Sequence, residues 1–237
     1  MEGGNGLQRK KVNEKVNTKP RNLITLTESK SYISEQFRTI RANINFILKD
    51  KELKTIVITS SIPGEGKSTN AANIAVAFAQ EGKKVLLIDA DMRRPTIHYT
   101  FYLQNETGLS NVLTRTAQLQ DTIQETPIYG LNIITSGPIP PNPAELLASS
   151  YLDQLLEVIR SDYQIIIFDA PPILSASDAQ ILSNKCDGTV LVANINTLNK
   201  NDLKKTTHSL QSSKANLLGV ILNNYKIGKP SNYYYYD

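Results

Sequence analysis

Residues 55–68 read TIVITSSIPGEGKS, and this stretch decides the fold. Its first six residues, rich in Ile, Val and Thr, predict a buried strand, and a loop over residues 61–67 separates that strand from a helix beginning at Ser68. Gly64 and Gly66 allow backbone N–H groups to face a bound phosphate without interference from a Cβ atom. The positive end of the helix dipole adds to these N–H groups, so the stretch predicts an anion-binding site.

The same loop carries the side chains that triphosphate chemistry requires. Lys67 is expected to bridge the β- and γ-phosphates of a nucleotide, and the Ser68 hydroxyl is expected to bind Mg²⁺. We therefore interpret the stretch as a P-loop for ATP and Mg²⁺, with nucleotide contacts from Gly64, Glu65, Gly66, Lys67, Ser68 and Thr69. Ser61 replaces the usual first glycine of the motif. A glycine-rich turn with an incidental lysine is the alternative, and the flanking strand and helix argue against it.

Two other predicted strands end in carboxylates. The run VLLID ends at Asp89 and is followed by Asp91, and the run IIIFD ends at Asp169. An aspartate after four buried apolar residues is typical of a side chain that orients Mg²⁺ or its water shell. The carboxylates of Asp89, Asp91 and Asp169 therefore predict, with the Ser68 hydroxyl, a metal site beside the P-loop. For each aspartate taken singly, a polar strand end without a chemical role is the alternative.

Short runs of Val, Ile and Leu alternate with stretches of helical periodicity around this motif. The runs predict strands over residues 55–60, 85–89, 131–135, 165–169, 189–195 and 217–222. The helical stretches cover residues 33–48, 70–80, 144–160 and 199–212. Nearly continuous apolar runs are typical of strands buried on both faces of a parallel sheet. We therefore expect a doubly wound α/β fold of the P-loop NTPase type, with a mostly parallel sheet and helices on both faces.

The folded domain is expected to span residues 23–228, between two tails. Residues 1–22 lack hydrophobic periodicity and predict a disordered basic tail. Residues 1–21 contain six Lys/Arg and two Glu, a balance of 6 − 2 = +4, which equals the net charge of the whole chain. The rest is neutral, so we expect no nucleic-acid partner; the tail is either solvated or in contact with anionic lipid or a protein. Residues 229–237 predict a flexible, tyrosine-rich tail.

The composition favours a cytoplasmic protein. No apolar run approaches the roughly 20 residues that span a bilayer, and the amino-terminal residues do not resemble a secretory signal. The single cysteine, Cys186, excludes an internal disulfide and fits a reducing compartment, where we expect it to be a packing residue.

The motifs together resemble those of a known family, the bacterial tyrosine kinases of capsular and exopolysaccharide synthesis. The stretches that match the family's Walker A, Walker A′ and Walker B motifs are SSIPGEGKS at 60–68, LLIDADMRRP at 86–95 and IFDAPP at 167–172. The resemblance covers roughly residues 23–237 and is to the Gram-positive form, in which the kinase is a separate cytoplasmic subunit. Related partition-type ATPases carry an early lysine in the loop, where this chain has Ile62.

The resemblance implies an ATP-dependent protein-tyrosine autokinase. Its catalytic residues would be Lys67, Asp89, Asp91 and Asp169, with Asp89 as the base that accepts the phenol proton. Asp91 and Asp169 would then orient the metal and its waters. The spacing also permits the reverse roles among the aspartates. Arg93 or Arg94 would either steady phosphate charge or form an ordinary ion pair. The phosphoacceptors would be the four tyrosines of the carboxy-terminal cluster, Tyr233, Tyr234, Tyr235 and Tyr236.

The resemblance also implies partners. Each tyrosine tail would enter the site of the next subunit in a ring-shaped homo-oligomer. The family's self-association motif matches Glu35, Arg38 and Arg41, which lie opposite the apolar stripe of their predicted helix; a merely solvated face is the alternative. A transmembrane adaptor would recruit and activate the kinase at the inner face of the cell membrane. A cognate tyrosine phosphatase and other protein substrates are further candidate partners.

Two other functions fit the P-loop less well. One is a deviant Walker-type ATPase that acts as a switch and binds a membrane or protein partner. Ile62 and the tyrosine cluster argue against it. The other is a small-molecule kinase, for which the sequence contains no lid or substrate-pocket signature.

Overall fold

The computed structural model describes residues 19–51 and 53–225, with only the backbone for residues 48–51. Its strands are β1 (Thr55–Ser60), β2 (Val85–Asp89), β3 (Ile123–Glu125), β4 (Leu131–Ile134), β5 (Ile165–Asp169), β6 (Gly188–Asn194) and β7 (Leu217–Asn223). They form one sheet in the order β3-β4-β2-β5-β1-β6-β7. All neighbouring pairs in it are parallel except β3 and β4. The predicted doubly wound sheet is confirmed.

The helices cover both faces of this sheet. They are α1 (Ile24–Thr27), α2 (Tyr32–Lys51), α3 (Lys67–Gln80), α4 (Ile97–Phe101), α5 (Leu109–Leu113), α6 (Leu119–Thr122), α7 (Pro143–Ala148), α8 (Ser150–Asp162), α9 (Asp178–Lys185) and α10 (Lys200–Ser212). One apolar core lies between the sheet and helices α2 and α3, and the other lies between the sheet and helices α8 and α9. Cys186 is buried in the second core, as expected for a packing residue. Among the described residues, no helix combines the length and the apolar character needed to cross a bilayer.

The strand order places the predicted reactive groups at one edge of the sheet. Strand β5 lies between β1 and β2, and the register pairs Asp89 with Asp169. The P-loop leaves β1 on the other side of β5, where Ile58 pairs with Asp169. Because all three strands are parallel, their carboxyl ends meet, which is where open α/β sheets bind ligands.

The two outermost strands differ from the prediction. Strand β3 has three residues, pairs antiparallel with β4 and was not predicted. Strand β7 was predicted to be buried on both faces, but Leu217, Val220 and Leu222 are exposed. The prediction of burial is wrong for β7 because, among the described residues, this strand pairs with β6 alone and lies at the edge of the sheet.

The predicted helix over residues 144–160 is interrupted. Helix α7 ends at Ala148 and helix α8 begins at Ser150, with Ser149 in an extended conformation between them. The Ser149 hydroxyl donates a hydrogen bond to the Leu146 carbonyl at 2.6 Å, a local contact that competes with the helical ladder. Pro143 is the first residue of α7, where the missing N–H of a proline breaks no helical hydrogen bond.

The amino-terminal segment is tied to the P-loop helix. The backbone N–H and the hydroxyl of Thr25 both donate to Asn73 Oδ1 in α3, at 3.1 and 2.9 Å. Asn73 Nδ2 in turn donates to the Asn22 carbonyl, and the Arg21 N–H donates to the Thr100 hydroxyl. The expected boundary at residue 22 is therefore placed too late, because residues 21 and 22 already contact the domain. Residues 1–18 of the first predicted tail, the whole second tail (229–237) and the last three residues of the predicted domain (226–228) lie outside the described residues.

Candidate active site

The P-loop adopts a conformation that requires glycine. Gly64 and Gly66 have φ angles of 86° and 97°, in the left-handed region that residues with a Cβ atom rarely adopt. Gly66 is also in close contact with β7, since a Cβ atom there would lie 2.2 Å from Asn223 Nδ2. The loop therefore delivers the amino end of α3, which begins at Lys67, directly to the carboxyl edge of the sheet.

The Glu65 side chain points into the protein. Its Oε2 accepts hydrogen bonds from the backbone N–H groups of Ser61 and Ile62, at 2.8 and 3.0 Å. Its Oε1 accepts from the Asn194 N–H at 3.3 Å. Glu65 was predicted as a nucleotide contact, and the structure leaves only its main chain for that role.

The Lys67 ammonium lies within an acidic cluster. Its Nζ is 2.7 Å from Asp91 Oδ2 and 3.5 Å from Asp169 Oδ1, and it donates to the Ser68 hydroxyl at 3.2 Å. Burial acts to lower the pKa of Lys67, but the charges of Asp169 and Asp91 outweigh it and raise that pKa above its ordinary value. The structure thus brings together the predicted residues of the P-loop and of the two acidic strand ends.

Asp89 shapes the loop that follows β2. Its Oδ2 accepts from the N–H groups of Thr96 and Ile97, both at 3.0 Å, and its Oδ1 accepts from the Asp91 N–H at 3.2 Å. The side chain is fully buried. Burial and the neighbouring Asp169 charge raise the pKa of Asp89 to about 8. Because Oδ1 carries a single hydrogen bond, this oxygen retains acceptor capacity for a proton.

Asp169 fits a divalent cation. Its carboxylate is fully buried, and neither oxygen has a well-formed hydrogen bond among the described residues. Burial raises its pKa above the ordinary range of an aspartate. Its nearest cation, Lys67, lies 3.5 Å away, so the buried carboxylate retains capacity for a further positive ligand, and hard oxygen ligands are those that Mg²⁺ prefers. Lys67 also contacts Asp91 and the Ser68 hydroxyl, and both of these supply further oxygen atoms of this kind.

Arg93 forms the ion pair that was one of its two expected roles. Its Nε and Nη2 each lie 3.0 Å from a different carboxylate oxygen of Asp178, in a bidentate arrangement. Asp178 is fully buried at the start of α9, while the Arg93 side chain is 46% exposed. The pair joins the loop after β2 to the segment after β5. Asp178 was not predicted as a site residue, since it belongs to none of the sequence motifs.

Two asparagines end the adjacent strands β6 and β7. Asn194 and Asn223 pair in register, and Asn223 Nδ2 donates to the Glu65 carbonyl at 2.9 Å. Asn224 follows in the left-handed region with φ 59°, so it occupies a turn. Asn194 was not singled out from the sequence, although an asparagine at the end of each of two neighbouring strands was the available signal.

The three predicted interface residues do not share one face of α2. Glu35 and Arg38 form an ion pair on the solvent side. Arg41 is turned toward α3, where its Nη1 donates to the Ala77 carbonyl at 3.1 Å. At about 100° per residue, Arg41 lies roughly 120° around the helix from Glu35, so the expectation of a common face is wrong for it. Ile33, expected in the apolar stripe, is half exposed, whereas Phe37 and Ile44 are buried.

The phosphoacceptor candidates Tyr233–Tyr236 lie outside the described residues.

Comparison with known proteins identifies the family. A family model described as AAA domain matches residues 53–220. Tyrosine-protein kinase YwqD of Bacillus subtilis (strain 168) is 50% identical over 216 residues, which cover 91% of each chain. The putative tyrosine-protein kinase CapB of Staphylococcus aureus is 44% identical over 207 residues, covering 87% of this chain and 91% of CapB. The crystal structure of the chimerical protein CapA2B2 superposes with a TM-score of 0.83 at 45% identity, covering 87% of this chain and 92% of the chimera.

These similarities confirm the expected P-loop fold and the expected family resemblance, including its Gram-positive character, since the relatives come from Bacillus and Staphylococcus. They extend over most of the chain and include the whole of the acidic cluster around Lys67. This chain therefore belongs to the bacterial tyrosine-protein kinases, within the AAA-domain family.

Proposed function

We propose that this chain is an ATP-dependent protein-tyrosine autokinase, which phosphorylates its carboxy-terminal tyrosines, Tyr233–Tyr236, in trans within a homo-oligomer. One observation supports it above the others: Lys67, at the start of the P-loop helix, lies between Asp91 and Asp169 at the carboxyl edge of the sheet. This is the constellation that phosphoryl transfer requires, a cation and metal-binding carboxylates beside a phosphate-binding helix end.

The metal and nucleotide contacts are assigned to residues that already lie together. Ser68, Asp91 and Asp169 would hold Mg²⁺, which supplies neutralising charge to the β- and γ-phosphate oxygens. The backbone N–H groups at the amino end of α3 would bind the phosphates, and Lys67 would leave the carboxylates to contact the transferred phosphoryl group.

Asp89 is proposed as the base. The tyrosine phenol has an ordinary pKa near 10, and its proton must be accepted as the oxygen attacks the γ-phosphorus. The new O–P bond forms as the bond to the bridging oxygen of ADP breaks, and the proton passes to Asp89 Oδ1. With a pKa raised to about 8, Asp89 is a stronger base than an ordinary aspartate once it is ionised, and a divalent cation beside it would favour the ionised form. Asp91 is less suited, because its Oδ2 lies 2.7 Å from the Lys67 ammonium and it is a proposed metal ligand.

The position of β7 supports the tail as the acceptor. This strand ends at Asn223, which contacts the P-loop through Glu65. The chain toward Tyr233 therefore leaves from the edge of the sheet that carries the active site. A tethered acceptor has a high effective concentration, so weak binding of the tail suffices. Phosphates on several tail tyrosines would each add about −1.5 to −2 charges and would repel re-entry into an acidic cluster.

The cellular role is proposed from the family. We place the kinase at the inner face of the cell membrane, in contact with a transmembrane adaptor that activates it. There it would regulate capsular or exopolysaccharide synthesis, and a cognate tyrosine phosphatase would reverse its reaction. The similarity to the chimerical protein CapA2B2 supports a protein partner. The ring face would include Glu35, which is exposed on α2, and the partly exposed Arg38 beside it.

The test is incubation of the pure full-length protein with Mg-ATP, followed by phosphotyrosine detection and mapping by mass spectrometry. Phosphate on Tyr233–Tyr236 in wild type, and none in the Lys67→Met variant, is the expected result. Mixing Lys67→Met protein with an active, tail-deleted copy separates the routes: phosphate on the inactive chain shows transfer in trans. Hydrolysis of ATP without any phosphotyrosine would replace the kinase proposal with an ATPase switch.

A further inference from the structure

The buried carboxylate of Glu65 acts as an anion inside the P-loop. Its residue is 1% exposed, and its two oxygens accept from three backbone N–H groups, those of Ser61, Ile62 and Asn194. A P-loop normally offers its N–H groups to phosphate oxygens. Here two N–H groups of the first half of the loop are already bound by a carboxylate of the loop itself.

This arrangement defines which N–H groups remain for a nucleotide. Ser61 and Ile62 are occupied by Glu65 Oε2, and Pro63 has no N–H. The first N–H that Glu65 leaves for phosphate therefore belongs to Gly64. From there the series continues through the amino end of α3 to Thr69, and these groups precede the first helical hydrogen bond, Asn70 N–H to Gly66 carbonyl at 2.9 Å.

Glu65 also fixes the loop to the side of the sheet that carries no reactive acid. In the strand order, β5 and β2 with their aspartates lie on one side of β1, and β6 and β7 lie on the other. The Glu65 carboxylate binds the end of β6 at Asn194, and its carbonyl binds the end of β7 at Asn223, 2.9 Å away. The loop is therefore held on both sides. Lys67 contacts Asp91 and Asp169 on one side, and Glu65 contacts Asn194 and Asn223 on the other.

We propose that Glu65 is a positioning residue for the phosphates of ATP. By binding the N–H groups of Ser61 and Ile62 and anchoring them to Asn194, it confines phosphate binding to the N–H groups of residues 64–69. The inference rests on the proposed binding of ATP and adds the residue that sets the geometry of the phosphate site.

The direct test is a comparison of Glu65→Gln with wild type in nucleotide binding. Glutamine has nearly the same size, but its –NH₂ group turns a donor toward backbone donors, so one side of the contact is lost. Affinity for ADP and ATP, titrated by calorimetry with and without Mg²⁺, should fall about tenfold or more, because the N–H groups at the phosphates are displaced. Affinity for adenosine should stay within about twofold, since it has no phosphate to contact the loop. Glu106→Gln, an exposed glutamate, is the matched control and should bind all three as wild type does.

The outcomes separate this inference from the proposed function. Failure of wild type to bind ADP or ATP overturns the function itself. Equal ADP affinity in wild type and Glu65→Gln overturns only the role of Glu65, as does an equal loss for adenosine and ADP, which would indicate a general disruption of the site.

A second measurement needs no variant. In amide hydrogen exchange of the wild-type protein without nucleotide, Ser61 and Ile62 should be protected, and addition of ADP should leave their rates unchanged. The N–H groups of residues 64–67 should exchange quickly and become protected with ADP. Fast exchange of Ser61 and Ile62 that is slowed by ADP would show that phosphate, rather than Glu65, binds them, and would overturn the proposal even if Glu65→Gln fails to fold.

Discussion

The Lys67 ammonium lies 2.7 Å from the Asp91 carboxylate, in a cluster where one cation faces three buried aspartates. The cluster therefore keeps a net negative charge unless it binds protons or further cations. Burial is the main reason why the pKa values of Asp89 and Asp169 are both raised, and the negative charge of the neighbouring aspartates adds to it. The net negative charge also makes the site suited to a divalent cation that arrives with a nucleotide.

Replacement of Lys67 by methionine should remove activity and also lower stability. The change removes the cation that balances Asp91 and Asp169, and an uncompensated buried charge costs about 3 kcal/mol. We expect no phosphotyrosine after incubation with Mg-ATP and a lower midpoint in urea denaturation, partly restored by Mg²⁺. Lys204→Met, at an exposed position of α10, is the control and should change neither value. Full autophosphorylation by Lys67→Met would contradict the assigned role of the P-loop lysine.

Replacement of the four tail tyrosines by phenylalanine should separate phosphorylation from nucleotide binding. With Tyr233–Tyr236 changed, phosphate incorporation measured by mass spectrometry should fall to a small fraction of wild type. ADP affinity should be unchanged, because no catalytic or P-loop residue is altered. Tyr102→Phe with Tyr129→Phe removes two highly exposed tyrosines of the domain and serves as the control. Undiminished incorporation in the tail variant would show that the main acceptors lie elsewhere.

Arg38 and Arg41 should behave differently when each is changed to alanine. Arg38 lies on the outer side of α2 with Glu35 and donates to the Ser29 carbonyl from a partly exposed position, so Arg38→Ala should shift the protein toward monomer in light scattering and cost less than about 1 kcal/mol of stability. Arg41 donates to the Ala77 carbonyl, so Arg41→Ala should lower stability by about 1 kcal/mol. An Arg38→Ala assembly identical in mass to wild type would reject this face of α2 as an interface.

Gly66 should tolerate no side chain. Alanine there would bring a Cβ atom to 2.2 Å from Asn223 Nδ2, in addition to the strain of φ 97°. Gly82→Ala is a matched control, because Gly82 has a similar φ of 87° and open space around it. Gly82→Ala should cost about 1–2 kcal/mol in urea denaturation and leave ADP binding intact. Gly66→Ala should abolish ADP binding in calorimetry, and wild-type affinity in that variant would show that the contact with β7 is dispensable.

The raised pKa of Asp89 predicts a pH dependence of stability. An unfolded aspartate ionises near pH 4, whereas Asp89 in the folded protein does so at about pH 8. Folding therefore takes up a proton between these values, and the free energy of unfolding should fall with rising pH by up to about 1.4 kcal/mol per unit. Above pH 8 this contribution is lost and the curve should level. Urea denaturation in EDTA from pH 5 to 9 measures it, and Asp89→Asn should have a shallower slope. An unchanged slope in that variant would show that a group other than Asp89 takes up the proton on folding.

The central strands and the P-loop could be predicted from the sequence because local signals coincide there. The bounds predicted for β1, β2 and β5 match the structure, since each run is rich in Ile, Val or Leu and ends at a polar motif residue. Parallel strands place such ends at one edge, so the meeting of Lys67 with Asp91 and Asp169 followed from the fold class.

Other features have no local signal. Strand β3 is too short to show a period, and the leucine spacing of residues 144–160 continues across the break at Ser149. Contacts between residues that are far apart in the sequence also cannot be predicted from the spacing of residue types. Arg93 and Asp178 are 85 residues apart in the chain, and Glu65 and Asn194 are 129 apart. The inward orientation of Glu65 depends on a strand end that only the assembled sheet brings near.

The hydrogen bond between Asn223 and the Glu65 carbonyl limits how far the acceptor tyrosines can travel. Tyr233 lies ten positions after Asn223, and a fully extended chain over ten residue steps spans about 35 Å. A copy that receives this tyrosine must therefore place its own phosphate-binding helix end within that radius. In any ring that carries out the reaction, the active sites of neighbouring copies must lie close together. Insertion of residues between 225 and 233 would widen the permitted distance between these sites, and deletion would narrow it.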